Sequence, residues 1–343
     1  MSRPSSDRVR NFSPWFAWMV RLAATEHQDP VPVDDADAFA AWRPRAARRL
    51  VQLLGPLPER VDPAIETTDV VACDGYRRER IVFDSEATMS VPAYLLVPEG
   101  RRRAGSAVLA VHGHGPGKAQ VVGLEETETP NGDYARQLVR AGHVVLAPDL
   151  RCFGERRDPD WDGSGKYECD WNLVAATMAG RNPLALNLWD MRRALDVLAD
   201  HPLVDPARLG VAGLSYGGTI TLFLAAIDER VRAAVVSGYL ASWQAAHTIP
   251  WNMCGSQVLP GMLGELEHLD VAALVAPRAL LAETGSEDPI FPVAAARETI
   301  AQLRGIYATL GAPADRVDHD VFVGEHRWNG ARAYDFLADQ LGR

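Results

Sequence analysis

Lysine is nearly missing from this chain. Of its 35 basic residues only Lys118 and Lys166 are lysines, so arginine carries almost all of the positive charge. The net charge is −10 and no stretch gathers the arginines into a basic stripe, which argues against nucleic acid as a partner. Cysteine is scarce as well. Cys73, Cys152, Cys169 and Cys254 are scattered without C-x-x-C spacing, so neither a zinc motif nor a disulfide scaffold is expected, and free thiols in a reducing cytoplasm are. No metal or cofactor is called for. No apolar run reaches membrane-spanning length. The apolar patch in MSRPSSDRVRNFSPWFAWMVRLAA is interrupted by Arg21, short of the unbroken run that a secretion signal needs. It reads as an amphipathic helix, and a cytoplasmic location is expected. There is no internal repeat and no low-complexity tract.

What is present is an ordinary globular composition, 47% hydrophobic and 23% charged over 343 residues, long for one domain but within the range of a single α/β core. Residues 1–60 show helical periodicity broken at Pro30, Pro32, Pro44 and Pro56, and read as a helical N-terminal extension. From about residue 66 the pattern changes to antiparallel strands: VVAC, RERIVFDS and MSVPAYLLVPEG. Strand-like runs then alternate with helices. SAVLAVHG precedes a helix near 131–141, HVVLAPD a helix near 184–200, and ARLGVAGL a third. VRAAVVSG, PRALLAETG and DHDVFVG follow, and the last helix is placed at about 329–341. Strands separated by helices require parallel crossovers, hence an α/β fold with a mostly parallel sheet covered on both faces, filling residues 61–343. Two insertions, about 152–183 and 239–272, are too long for simple connections and read as functional loops or lids.

One of the strand-to-helix junctions reads VAGLSYGGTITLFLAA. Gly213 and Gly217 flank Ser215 in a G-x-S-x-G pattern, where small neighbours let a strained turn expose the hydroxyl near a helix N-terminus. A serine hydroxyl is a poor nucleophile unless a base lies within hydrogen-bond reach and a carboxylate orients that base. The carboxylate is expected from PRALLAETGSEDPIFP, with Asp288 just after a strand and Glu283 and Glu287 as rivals. The base is expected from DHDVFVGEHRWNG, with His326 in the loop after a strand; His319, ahead of that strand, is the rival. Attack on a carbonyl also needs donors for the oxyanion. The backbone N–H of Tyr216 is one candidate and that of His114, in AVLAVHGHGPG, is the other. HGHG lacks the further ligands of a binuclear metal site, and GHGPGKA fails as a phosphate loop because its spacing is wrong and Ala119 stands where a hydroxyl should be.

Taken together, VHGHG, DLRCFGE, GLSYGG, SEDPIFP and GEHRW resemble the α/β-hydrolase superfamily, and more closely its branch of acetyl xylan esterases and dienelactone-hydrolase-like esterases. The similarity covers about residues 66–343. It implies an α/β-hydrolase fold, and it maps the oxyanion donors to His114 and Tyr216. Cys152 stands where the family's D-x-R-G-x-G loop has its first glycine, and Asp149 and Arg151 of that loop are expected to form a structural ion pair rather than to act in catalysis. The expected nucleophile is serine, unlike the cysteine of true dienelactone hydrolases.

The expected activity is hydrolysis of short-chain, acetyl-type esters of a small alcohol or sugar, the partner being that small-molecule ester, with no membrane partner. An amidase of the prolyl-oligopeptidase type, an acyltransferase and a silent hydrolase-fold receptor are the alternatives. Trp243, His247, Trp251 and Trp328 are candidates to contact substrate, or else to fasten the insertions to the core, as are Trp161, Tyr167, Trp171 and Met253. The N-terminal helices are expected either to cover the pocket or to form a homodimer contact.

Overall fold

The structure is a computed structural model and describes residues 11–125, 132–157, 165–247 and 253–342. Along the chain the strands are β1 (Glu66–Cys73), β2 (Tyr76–Glu86), β3 (Met89–Pro98), β4 (Gly105–Val111), β5 (Val144–Pro148), β6 (Val204–Leu214), β7 (Val231–Ser237), β8 (Ala279–Gly285) and β9 (Val317–Phe322). The helices are α1 (Pro14–Ala23), α2 (Ala36–Leu54), α3 (Lys118–Val121), α4 (Tyr134–Arg140), α5 (Gly165–Met178), α6 (Pro183–Ala199), α7 (Tyr216–Ile227), α8 (Met262–Glu265), α9 (His268–Ala273), α10 (Val293–Thr309) and α11 (Ala333–Leu341). The strands form one sheet in the order β1-β2-β3-β5-β4-β6-β7-β8-β9. The first four in that order pair antiparallel, and all pairs from β5 to β9 are parallel.

The central strands are apolar on both faces because both are covered. Ala107, Leu109 and Val111 of β4 join one core with Leu209 and Val211 of β6 and side chains of α6, α7 and α10. Val108 and Ala110 point the other way, into a second core with Leu138 of α4 and Leu337 of α11. After β4 the chain crosses back to β5, and from β6 it moves outward in the opposite direction. Strand order therefore reverses between β4 and β6, and the crevice outside their carboxyl ends is where an open α/β sheet binds its ligand.

Two helix boundaries differ from the sequence pattern. Pro44 does not break its helix but lies inside α2. Phe39, Trp42, Ala46, Leu50 and Leu54 form one buried stripe on α2, packed into the same core as β4 and β6, and that burial outweighs the lost backbone bond. Pro44 and Ala40 are exposed, so the carbonyl left without a donor faces water. At the far end, α11 starts at Ala333 rather than near 329, because the preceding residues bind elsewhere. Asn329 donates to Asp320 (2.8 Å), and the amide of Gly330 donates to the Glu283 carboxylate (2.8 Å). Among the described residues no helix is long and apolar enough to cross a membrane.

Candidate active site

Ser215 directly follows β6 and caps α7 with φ 60° and ψ −118°, a left-handed backbone that a side-chain-bearing residue adopts only when its surroundings hold it there. Its amide donates to Ser237 O (2.9 Å) and its carbonyl accepts from Thr219 N (2.9 Å), which fixes the turn from both sides. The flanking glycines are forced by crowding. A Cβ on Gly213 would sit 2.4 Å from Gly217 O, and one on Gly217 would sit 2.0 Å from Val111 O. The Ser215 hydroxyl caps no backbone amide of α7.

Asp288 and His326 meet, as Asp288 Oδ2 lies 2.7 Å from His326 Nδ1. The other carboxylate oxygen accepts from the amides of Ile290 (2.8 Å) and Phe291 (3.0 Å), so the tight turn after β8 aims the acid at the imidazole. The Phe291 ring stacks on His326 at 5.6 Å. His326 Nε2 is buried and without a hydrogen-bond partner among the described residues, leaving its lone pair free to accept a proton. The imidazole lies over Gly238, where a Cβ would come within 2.9 Å of Cε1. Gly238 directly follows Ser237, the residue whose carbonyl holds the Ser215 amide. The rival His319 instead bonds Thr284 Oγ1 (3.0 Å).

Glu283, one of the rival acids, plays a different part. Its backbone carbonyl accepts from Gly238 N (2.9 Å) and its side chain from Gly330 N, so it ties the floor beneath His326 to the loop that carries His326. Burial raises its pKa from 4.5 to about 7, against help from Ser237 and the Gly330 amide. A carboxyl that holds its proton more tightly when folded stabilises the fold fully below about pH 4.5, and that contribution is lost as pH rises through about 7. Glu283→Gln keeps the acceptor for Gly330 and never ionises. Urea unfolding at pH 5 and pH 8 should show the variant gaining on the wild type by on the order of 3 kcal/mol at the higher pH. Parallel pH dependences in the two proteins would contradict this.

The oxyanion candidates lie on adjoining loops. Tyr216 opens α7, where the first amides of a helix have no internal acceptor. Its side chain is buried, with Oη accepting from Asn187 (2.9 Å) and donating to Ser256 O (3.2 Å). His114 is exposed, its ring stacked on Tyr216 at 5.2 Å and edge-on to Phe153 at 5.4 Å. The preceding His112 is spoken for: it accepts from Leu150 N (2.9 Å), and its Nδ1 lies 2.7 Å from Gly113 O. Burial depresses its pKa, so it stays a neutral anchor. Asp149 and Arg151 are structural but not paired with each other. Asp149 takes the amide (2.7 Å) and ammonium (2.5 Å) of buried Lys118, whereas Arg151 pairs with Asp190 (2.8 Å) and Glu86 (2.6 Å).

The four substrate-contact candidates fare differently. Trp328 is fully buried, stacked on Tyr134 at 4.3 Å in the core beneath α4 and α11; it fills that core and has no surface to offer a substrate. Trp243 and His247 line a cavity of about 740 Å³ together with Trp18 and Leu22 of α1 and Leu259 and Met262, and none of Ser215, Asp288 or His326 lines it. Rings link the two regions, since His247 meets Tyr239 (6.0 Å), Tyr239 meets Phe291 (5.4 Å), and Phe291 meets His326. Burial lowers the His247 pKa to about 3, keeping it neutral. Trp251 and Trp161, and the side chain of Tyr167, lie outside what is described; Trp171 is exposed on α5 and Met253 is half-buried. Tyr239, Phe291 and Gly238 were not singled out from the sequence.

This fold and site define an α/β-hydrolase. A family model described as the Abhydrolase family matches residues 31–303, and the chain belongs to that family. Its curated relative "Putative hydrolase YtaP" of Bacillus subtilis (strain 168) is 28% identical over 280 residues, 78% of this chain and 89% of that protein. Among solved structures, the "putative acetyl xylan esterase" of Bacteroides fragilis NCTC 9343 superposes with a TM-score of 0.76 at 19% identity, covering 92% of this chain and 83% of that one. A glucuronoyl esterase from Solibacter usitatus gives 0.70 at 16% identity, covering 93% and 97%.

Proposed function

We propose that the chain is a serine carboxylesterase that hydrolyses short-chain, acetyl-type esters of a small alcohol or sugar through an acyl-enzyme. The observation that carries this reading is the Asp288–His326 contact with its buried, unpartnered Nε2, the imidazole lying over Gly238, whose neighbour Ser237 holds the amide of Ser215 on its strained strand-to-helix turn. The esterases among the structural neighbours support it as analogy.

Ser215 Oγ attacks the ester carbonyl while His326 Nε2 takes its proton. Asp288 Oδ2 holds the Nδ1–H and stabilises the imidazolium that forms. Negative charge on the carbonyl oxygen is met by the amides of Tyr216 and His114. As the intermediate collapses, His326 gives the proton to the leaving alcohol, and the acyl group stays on Ser215. Water then attacks the acyl-enzyme, His326 takes its proton, and that proton returns to Ser215 Oγ as the acid departs.

Two assays test this together. A fluorophosphonate probe should label Ser215, identified by peptide mass spectrometry. On a panel of p-nitrophenyl esters and acetylated sugars, kcat/KM should fall as the acyl chain lengthens beyond a few carbons, with an aminoacyl-p-nitroanilide turned over far more slowly. Preferred cleavage of the anilide, or no labelling of Ser215, would sink the proposal.

A further inference from the structure

Three residues that lie far apart in the chain bring ligand atoms to one place beside the oxyanion loop. His114 follows β4, Cys169 is buried on α5, and Cys254 precedes the short turn at Gly255–Gln257. One ligand atom from each lies within 4.8 Å of the other two. Cys152, buried at φ 74°, makes side-chain contact with Cys169. Cys254 Sγ is 3.0 Å from Ser256 Oγ, a hydroxyl able to support a thiolate from outside a ligand set.

We propose that His114, Cys169 and Cys254 bind one divalent metal ion of the zinc type, with Cys152 as the fourth ligand. The donor set is that of a structural Cys₃His zinc site. Tetrahedral zinc, with Zn–S near 2.3 Å and Zn–N near 2.0 Å, spaces its ligand atoms about 3.5–3.8 Å apart. Closing from within 4.8 Å to that spacing asks for an ångström or so of side-chain rotation. Each cysteine that ligates does so as a thiolate and releases its proton to the solvent, so affinity rises with pH. The site is separate from the proposed triad. It clips both insertions, through Cys169 and Cys254, to the loop whose His114 amide faces the substrate carbonyl in the proposed mechanism.

The test uses the full chain, reduced, chelator-stripped and kept anaerobic. Titration with cobalt(II) should saturate at one equivalent, giving thiolate-to-cobalt charge transfer in the near ultraviolet and the intense visible bands of a tetrahedral ion. Zinc should displace it. Cys169→Ser and Cys254→Ser should each lower the charge-transfer intensity and weaken affinity by about 100-fold or more, and Cys152→Ser should remove one sulfur's share; Cys73→Ser, on β1, should change nothing. In the wild type, zinc should also suppress alkylation of half-buried Cys254, a readout that does not depend on whether a variant folds. Absence of binding at micromolar cobalt, a spectrum unchanged in both Cys169→Ser and Cys254→Ser, or Cys254 alkylation unaffected by zinc would overturn the site.

Discussion

Ser215→Ala is expected to lower kcat on p-nitrophenyl acetate by about 10⁴–10⁶-fold and to abolish fluorophosphonate labelling. The size follows from what is removed. Without Oγ there is no acyl-enzyme, and only binding and the oxyanion amides remain to assist direct attack by water. The fold should hardly notice. The hydroxyl caps no amide of α7, alanine meets the same left-handed backbone that serine already tolerates, and the turn is held by Ser215 N and O, which the substitution keeps. A change in stability within about 1 kcal/mol, checked by urea unfolding, separates lost chemistry from lost structure. Activity within tenfold of the wild type would end the assignment of Ser215 as nucleophile.

Asp288→Asn should cost about 10⁴-fold in kcat with little change in KM. The asparagine oxygen can still accept from the Ile290 and Phe291 amides, so the turn is retained. Its amino group then faces His326 Nδ1, where the carboxylate had been. An N–H in that place favours the tautomer with its hydrogen on Nε2, and that nitrogen can no longer take a proton from Ser215. The double variant Ser215→Ala/Asp288→Asn should be about as active as Ser215→Ala alone, because the acid acts only through the base and the nucleophile. Losses that multiply in the double variant would show that Asp288 works through some other route. Glu283→Gln offers a contrast from the neighbouring carboxylate, its effect falling on stability and its pH dependence.

Much of the architecture could be read without coordinates. Apolar runs alternating with helices were enough for the parallel sheet, since a strand buried on both faces has no polar side to show. The G-x-S-x-G turn was legible because its glycines are demanded by contacts within a few residues, or with the neighbouring strand end at Val111. Other features resisted. Pro44 looked like a helix break because propensity is local, whereas the buried stripe from Phe39 to Leu54 that overrides it is a tertiary contact. Trp328 looked like a pocket residue because it lies two positions past His326. The side of the sheet it serves depends on how its loop turns, and it turned inward onto Tyr134.

The chain's own order of residues determined the class of fold, the strained serine turn, and a short roster of acids and bases for the loops after the last strands, because each of these is written in short-range spacing. Only the tertiary structure brought Asp288, rather than Glu283 or Glu287, against His326, and turned Glu283 into the brace beneath the imidazole. It alone gathered His114, Cys169 and Cys254 at one point, with Cys152 against Cys169. Convergence of distant residues depends on sheet order and loop path, which are settled by the packing of the whole core rather than by any one segment.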